Sequence, residues 1–227
     1  MEFSFGIITA GNPDRIKEIS DSVQAQIPLD KYEIIVVGGP PIDLPNVVHI
    51  PFDESQKDKW ITRKKNLVTN RAKFENIVYM HDYIKIEPGW YSGFLEYGND
   101  FVLCMNKMLN PDGSRYRDWS LWAEDALGLN VPRAEFLIPY EETSFSKYMY
   151  FSGAYWVAKK KVMLEYPLDE RLSWGEGEDV EWSKKIRGVY NFSMNSLSSV
   201  RLMVYHHPIF TEISEDQLKE FKIRIAV

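Results

Sequence analysis

Predominantly apolar runs constrain this fold more than any other feature of the chain. FSFGIIT (residues 3–9), YEIIVVGG (32–39) and FVLCM (101–105) are too uniformly apolar for strands with one wet face. Between the first two, Asn12 is placed to cap a helix and Pro13 to occupy its first position. Ile16, Ile19, Val23 and Ile27 then recur at helical spacing, predicting an amphipathic helix over 13–26. VVHIPFD (47–53) reads as a third strand. Trp60, Leu67 and Phe74 recur every seven residues beside Ile61 and Val68, predicting a helix over 57–74. ENIVYMHDYIKIE (75–87) is strand-like with a polar break at His81-Asp82, and a short helix is expected over 89–97. Strands alternating with helices predict an α/β fold, a mostly parallel central sheet flanked by helices. Ligands of such sheets bind beyond the carboxyl ends of the strands. Those ends fall here at residues 9–12, 38–39, 52–53 and 81–83.

Residues 106–147 break the pattern. They are polar and aromatic, with an NPDG turn and little periodicity, and read as an irregular insertion with a short helix over 119–127. A strand passing into a helix near 159, a helix over 178–187, a strand over 198–207 and a short helix over 214–222 complete the expectation. At 227 residues the chain suits one domain with one sizeable core. A net charge of −6, with no run of five like charges, argues against nucleic acid as the main partner. The single cysteine, Cys104, sits in an apolar run and reads as a buried strand residue. No apolar segment is long enough to span a membrane, and the N-terminus lacks the features of a signal peptide, so a cytoplasmic protein is expected. Oligomeric state is not legible.

The chemistry concentrates in WGEGEDVEW, residues 174–182. Glu176, Glu178, Asp179 and Glu181 lie within six positions, interleaved with Gly175 and Gly177 and flanked by Trp174 and Trp182. Such carboxylates repel one another unless a helix N-terminus, a metal or a substrate compensates. The helix dipole accounts for one or two acids, but poorly for the glycines and the paired tryptophans.

Four stretches, in order, resemble the GT-A nucleotide-sugar glycosyltransferases, family 2 in particular. They are IITAGNPDRIKEISDSVQAQ, TRKKNLVTNRA (62–72), IVYMHDYIKIEPGW (77–90), and FSGAYWVAKKKV followed by WGEGEDVEW. The resemblance covers most of residues 3–207. It implies a GT-A-like, Rossmann-like single domain, 1–227, with a nucleotide-sugar-binding half over about 1–105 and an acceptor-binding half over about 106–227. It further implies a hexosyltransferase-like enzyme that moves a sugar from a nucleotide-diphosphate sugar to a glycan or other hydroxyl acceptor, with inversion.

Carried over by position, Asp179 is the expected base, with Glu178 ordering the acceptor hydroxyls. Trp174, Gly175 and Gly177 fall on the acceptor side. The donor side receives Thr9, Ala10, Asn12, Gly38, Asp53, Lys65, Asn66, His81 and Asp82. Lys64 accompanies Lys65, while Arg63 and Arg71 are weaker candidates. A divalent cation, Mn²⁺ or Mg²⁺, is implied at Asp82, with His206 and His207 completing its shell. The chain departs from the family at two places: His81-Asp82-Tyr83 stands where Asp-x-Asp is expected, and glycines replace the acids after the second strand. Asp82 is therefore either a cation ligand or a turn cap, and Asp53 either a ribose or base contact or a helix cap. Arg115, Tyr116, Trp119 and Trp122 either line the acceptor groove or pack the insertion onto the core. Tyr150, Phe151 and Ser152 are not expected to be catalytic. A nucleotidyltransferase is disfavoured because TAGNPDR is not glycine-rich. A non-catalytic nucleotide-sugar or glycan-binding module with a degenerate metal motif is the alternative of a different class.

Overall fold

The computed structural model describes residues 1–123, 134–206 and 210–225. Strand β1 (Phe3–Ile8) is buried at all six positions. Helix α1 (Pro13–Gln24) follows, capped by Asn12, whose side chain accepts the Arg15 N–H at 3.2 Å, with Ile16, Ile19 and Val23 buried. Next come β2 (Tyr32–Val37), β3 (Val47–Ile50), α2 (Ile61–Arg71), β4 (Asn76–His81), β5 (Ile84–Ile86), α3 (Trp90–Tyr97) and β6 (Leu103–Leu109). The remainder holds β7 (Ser120–Ala123), β8 (Ala134–Leu137), β9 (Met149–Tyr150), β10 (Tyr155–Lys159), α4 (Lys160–Glu165), α5 (Glu178–Ile186), β11 (Phe192–Leu202), β12 (Thr211–Glu212) and α6 (Glu215–Ile225).

Eight strands form the main sheet, in the order β3-β2-β1-β4-β10-β6-β11-β5. The first four run parallel. β10 is antiparallel to both of its neighbours, β6 and β11 are again parallel, and β5 closes the edge antiparallel to β11. Only Asp82 and Tyr83 separate β4 from β5, yet three strands lie between them in the sheet. A flat sheet would set them about 19 Å apart, whereas three extended residue steps reach about 10 Å. The sheet therefore curls, and the β4–β5 turn lies where its two ends approach. Backbone bonds pin that turn: Asp82 N–H to the Ile8 carbonyl at 3.2 Å, His81 N–H to Ala154 at 3.1 Å, and Met203 N–H to Tyr83 at 2.7 Å. One continuous apolar core joins Ile16 of α1 to Phe221 of α6. Among the described residues no helix is long and apolar enough to cross a membrane.

Several elements differ from their sequence expectation for identifiable reasons. The segment 106–147 is more regular than its aperiodicity implies. Strand β6 runs on to Leu109, and β7, β8 and β9 join β12 in a second, four-stranded sheet. The helix expected over 119–127 begins instead as a strand, and residues 124–127 lie outside the described residues. Helix α2 starts only at Ile61, because Lys59 takes a positive φ of 47° just before it. The polar break at His81-Asp82 separates two strands, as its composition implied. Strand β11 begins at Phe192 because it pairs with β6 on both sides of a bulge between Asn195 and Ser199, which the polar SLSS run conceals in the sequence. Cys104 is a fully buried strand residue.

Candidate active site

The strand ends of β1 and β4 and the start of α2 enclose a cavity of about 550 Å³. Ile8, Thr9, Ala10, Glu54, Asp58, Lys59, Ile61, Lys64, His81, Asp82 and Trp174 line it. The Thr9 hydroxyl donates to Asp82 Oδ2 at 2.6 Å and accepts the Gly11 N–H at 2.9 Å, tying the two strand ends together. Lys64 donates to the Thr9 carbonyl at 2.7 Å and to Glu54 Oε1 at 2.5 Å. Gly38 lies beneath this cluster. A Cβ there would sit 2.4 Å from the Thr9 carbonyl oxygen and 2.9 Å from Lys64 Nζ, and its φ is +92°, so only glycine fits.

A second cavity, of about 360 Å³, adjoins the first and shares His81 and Trp174 with it. Tyr116, Arg117, Tyr150, Gly153, Glu178, Asp179 and His206 are among its other walls. Asp179 is oriented by two backbone groups: its Oδ2 accepts the Gly153 N–H at 2.8 Å and its Oδ1 the Val180 N–H at 2.9 Å. Gly153 makes this approach possible, since a Cβ at that position would lie 3.0 Å from Glu178 Oε1 and 3.1 Å from Asp179 Oδ2. Burial and then the neighbouring Asp179 charge push the Glu178 carboxyl above the ordinary range, against the opposing pull of Lys65.

Lys65 joins the two carboxylates to the core. It is 1% exposed, donates to the Gly153 carbonyl at 2.6 Å and lies 4.6 Å from the Trp156 ring centroid. Burial lowers its pKa to about 8, while Glu178 and Asp179 pull the other way. His81 is also buried, at 8% exposure, and its Nε2 has no hydrogen-bond partner among the described residues. Burial first, then the Lys65 charge, hold this imidazole well below its ordinary pKa, so it is neutral.

The acid-rich turn is thereby divided. Glu178 and Asp179 face the smaller cavity, while Glu176 closes its own turn by accepting the Ser173 N–H at 2.6 Å. Trp174 stands exposed at the wall between the cavities, with Lys59 Nζ 4.8 Å from its ring. Trp182 is core, 5.7 Å from Trp156, its indole donating to the Tyr166 carbonyl. Gly175 and Gly177 line the smaller cavity in left-handed conformations, φ +83° and +73°.

Of the expected donor-side residues, Thr9, Ala10, His81 and Asp82 line the larger cavity, and Lys65 lies behind the smaller one. Asn12 is used as the α1 cap. Gly38 packs under Thr9 rather than opening to the cavity. Asp53 accepts from Ser55 and Gln56 in an exposed turn, and its neighbour Glu54 reaches the cavity instead. Asn66 points away, bonding the Leu168 backbone and Glu170. Trp119 is core, whereas Tyr116 lines the smaller cavity. Arg117, which the sequence did not single out, lines the smaller cavity with Tyr150. An arginine beside aromatics in the insertion was the available signal, but it pointed equally to Arg115, which pairs with buried Asp118 at 2.8 Å.

The described residues contain no cluster of three or more His, Cys, Asp or Glu able to hold a metal. His206 lines the smaller cavity and is set off from His81 by Tyr83, whose ring centroid lies 5.2 Å from one and 5.3 Å from the other. His207 lies outside the described residues. The donor set nevertheless fits a cation that draws most of its shell from a bound diphosphate. Among the described residues Asp82 Oδ1 accepts no hydrogen bond, and the adjacent His81 Nε2 has no partner.

No protein-family model matches the chain, and no curated protein matches it in sequence. Solved structures do match. All of the chain superposes on 48% of GalNAc-T7, crystallised with UDP, GalNAc and Mn²⁺, at TM-score 0.66 and 14% identity. It also superposes on 39% of S. aureus TarS (TM-score 0.58, 14% identity) and on 66% of TarS 1–349 in complex with UDP-GlcNAc (TM-score 0.57, 14% identity). The chain thus spans roughly half of these neighbours, from 39% to 66% of their length. The likeness, together with the curled α/β sheet, defines a GT-A fold.

Proposed function

We propose that this protein is a glycosyltransferase that moves a sugar from a nucleotide-diphosphate donor to a hydroxyl acceptor, with inversion. One observation carries the reading. A cavity at the carboxyl ends of β1 and β4 shares a wall with a second cavity holding two adjacent, oriented carboxylates. The larger cavity suits the nucleoside and diphosphate; the smaller suits the sugar and the acceptor. The UDP and UDP-GlcNAc in the GalNAc-T7 and TarS structures are consistent with such a donor.

In this reading the acceptor hydroxyl oxygen attacks the anomeric carbon as the bond to the β-phosphate oxygen breaks. The nucleoside diphosphate leaves with the bonding electron pair, and the acceptor proton passes to Asp179. The two backbone donors fix the direction of that carboxylate, while Glu178 and Trp174 hold hydroxyls and a sugar face. Asp82 and His81 would hold a divalent cation, which would neutralise charge on the departing diphosphate.

Asp179→Asn is expected to cut transfer by at least 10²-fold with donor affinity within about threefold of wild type. The assay is nucleotide-sugar turnover with and without a glycan pool, beside calorimetric donor binding. Unchanged turnover would remove the base assignment. Donor binding without turnover in wild type, across a panel of nucleotide sugars, would favour the non-catalytic module.

A further inference from the structure

Arg117 is the only Lys or Arg among the described residues that line the smaller cavity. Its Nε donates to Tyr116 Oη at 3.1 Å, and its guanidinium lies 5.1 Å from the Tyr116 ring centroid. Tyr116 is itself buried, with its ring 5.7 Å from that of His206, so the guanidinium is held from behind by a fixed platform. Half-buried, it makes no ion pair with any described residue, although Glu178 and Asp179 line the same cavity. Asp179 takes two backbone N–H groups, and the buried Lys65 charge acts favourably on both carboxylates without pairing directly with either among the described residues. Burial opposes the Arg117 charge, but Tyr150, Tyr116 and Asp179 outweigh it, so the guanidinium stays firmly charged inside the cavity without a direct carboxylate pair. With Nε engaged, its terminal donors remain as a planar fork, the geometry that grips a phosphate or carboxylate through two bonds.

We infer that Arg117 is an anion subsite, which holds a phosphate or carboxylate group of the substrate beside the Glu178–Asp179 pair. The inference rests on the glycosyl-transfer reading and deepens it. Two sources share the chemistry. The anion belongs either to the acceptor, which would then be an acidic or phosphorylated glycan, or to the donor diphosphate at the His81–Trp174 wall.

Calorimetric titration of wild type, Arg117→Met and Arg117→Lys tests this, with circular dichroism confirming the fold. The probes are UDP, GDP, CDP and ADP, their nucleosides, and glucose 6-phosphate against glucose with the best nucleotide saturating. Arg117→Met is expected to weaken at least one phosphate-bearing probe tenfold or more, leaving its uncharged counterpart unchanged, and Arg117→Lys to recover part of the loss. A loss confined to the diphosphates marks the donor as the source; a loss confined to glucose 6-phosphate marks the acceptor. Equal behaviour of wild type and Arg117→Met toward every phosphate-bearing probe overturns the subsite. Loss of glucose 6-phosphate binding in a protein that takes no nucleoside diphosphate would sink the glycosyl-transfer reading and leave the subsite standing.

Discussion

Lys65 concentrates the electrostatics of the site in one side chain. Its ammonium is fully buried, and burial lowers its pKa from 10.5 to about 8 against the opposing pull of Glu178 and Asp179. The sign of its two consequences differs. Between about pH 8 and 10.5 the unfolded chain binds the proton and the folded one does not, so this group makes folding more favourable as pH rises. Over the same window Glu178 and Asp179 lose the favourable charge of Lys65. Turnover is therefore expected to fall through pH 8 while the unfolding free energy does not. A pH profile of donor hydrolysis, run beside denaturant unfolding, measures both. Lys65→Arg should move the alkaline limb upward, because a guanidinium does not deprotonate there. A flat profile to pH 10 in wild type would refute the assignment.

Among the elements, α2 shows how a docked loop changes what a helix buries. Its periodicity marks Ile61 and Val68 as inward, and both are buried. Thr62 and Asn66 are buried as well, because residues 168–172 cover a second face of the helix, while Lys64, Lys65 and Thr69 are buried against Thr9, Gly153 and Tyr79. Asn66 is the clasp: it donates to the Leu168 carbonyl at 2.9 Å and to Glu170 at 3.0 Å, and accepts the Leu168 N–H at 3.1 Å. Asn66→Ala leaves buried Leu168 groups unpaired and is expected to cost about 2–4 kcal/mol. Urea denaturation would read this as a lowered midpoint with an unchanged slope. A change below about 0.5 kcal/mol would show that water or a shifted loop replaces the clasp.

For the whole molecule, the curl of the sheet is the decisive event. It brings the β4–β5 turn between the ends of β1 and β11, and so sets His81 in the wall shared by both cavities. A ligand that spans them stabilises only the folded state. At a hundredfold excess over its dissociation constant the gain is about 2.7 kcal/mol, or a rise of about 5–10 °C in Tm for a chain of this size. UDP with Mn²⁺ is expected to produce such a shift, and Asp82→Ala to remove the part that depends on the cation. Scanning calorimetry of both proteins, with UDP, Mn²⁺, or the two together, gives the answer. Identical shifts in wild type and variant would exclude Asp82 as a ligand.

Local pattern determined much of this protein. Apolar runs alternating with helical periodicity specify buried parallel strands, because burial on both faces and helical spacing are written within a dozen residues. The same holds for Asn12 as a cap. Tertiary structure decided which members of the acid-rich turn do what: Glu178 and Asp179 face the cavity, Glu176 closes its own loop, and Trp174 and Trp182 part company. It also diverted Asn66 to Leu168, replaced Asp53 by Glu54 and delivered Arg117. The physical reason is distance along the chain. Asn66 is met by Leu168, 102 positions on, and Asp179 by the Gly153 N–H, 26 positions back. No periodicity within a segment records which distant backbone group a side chain will meet.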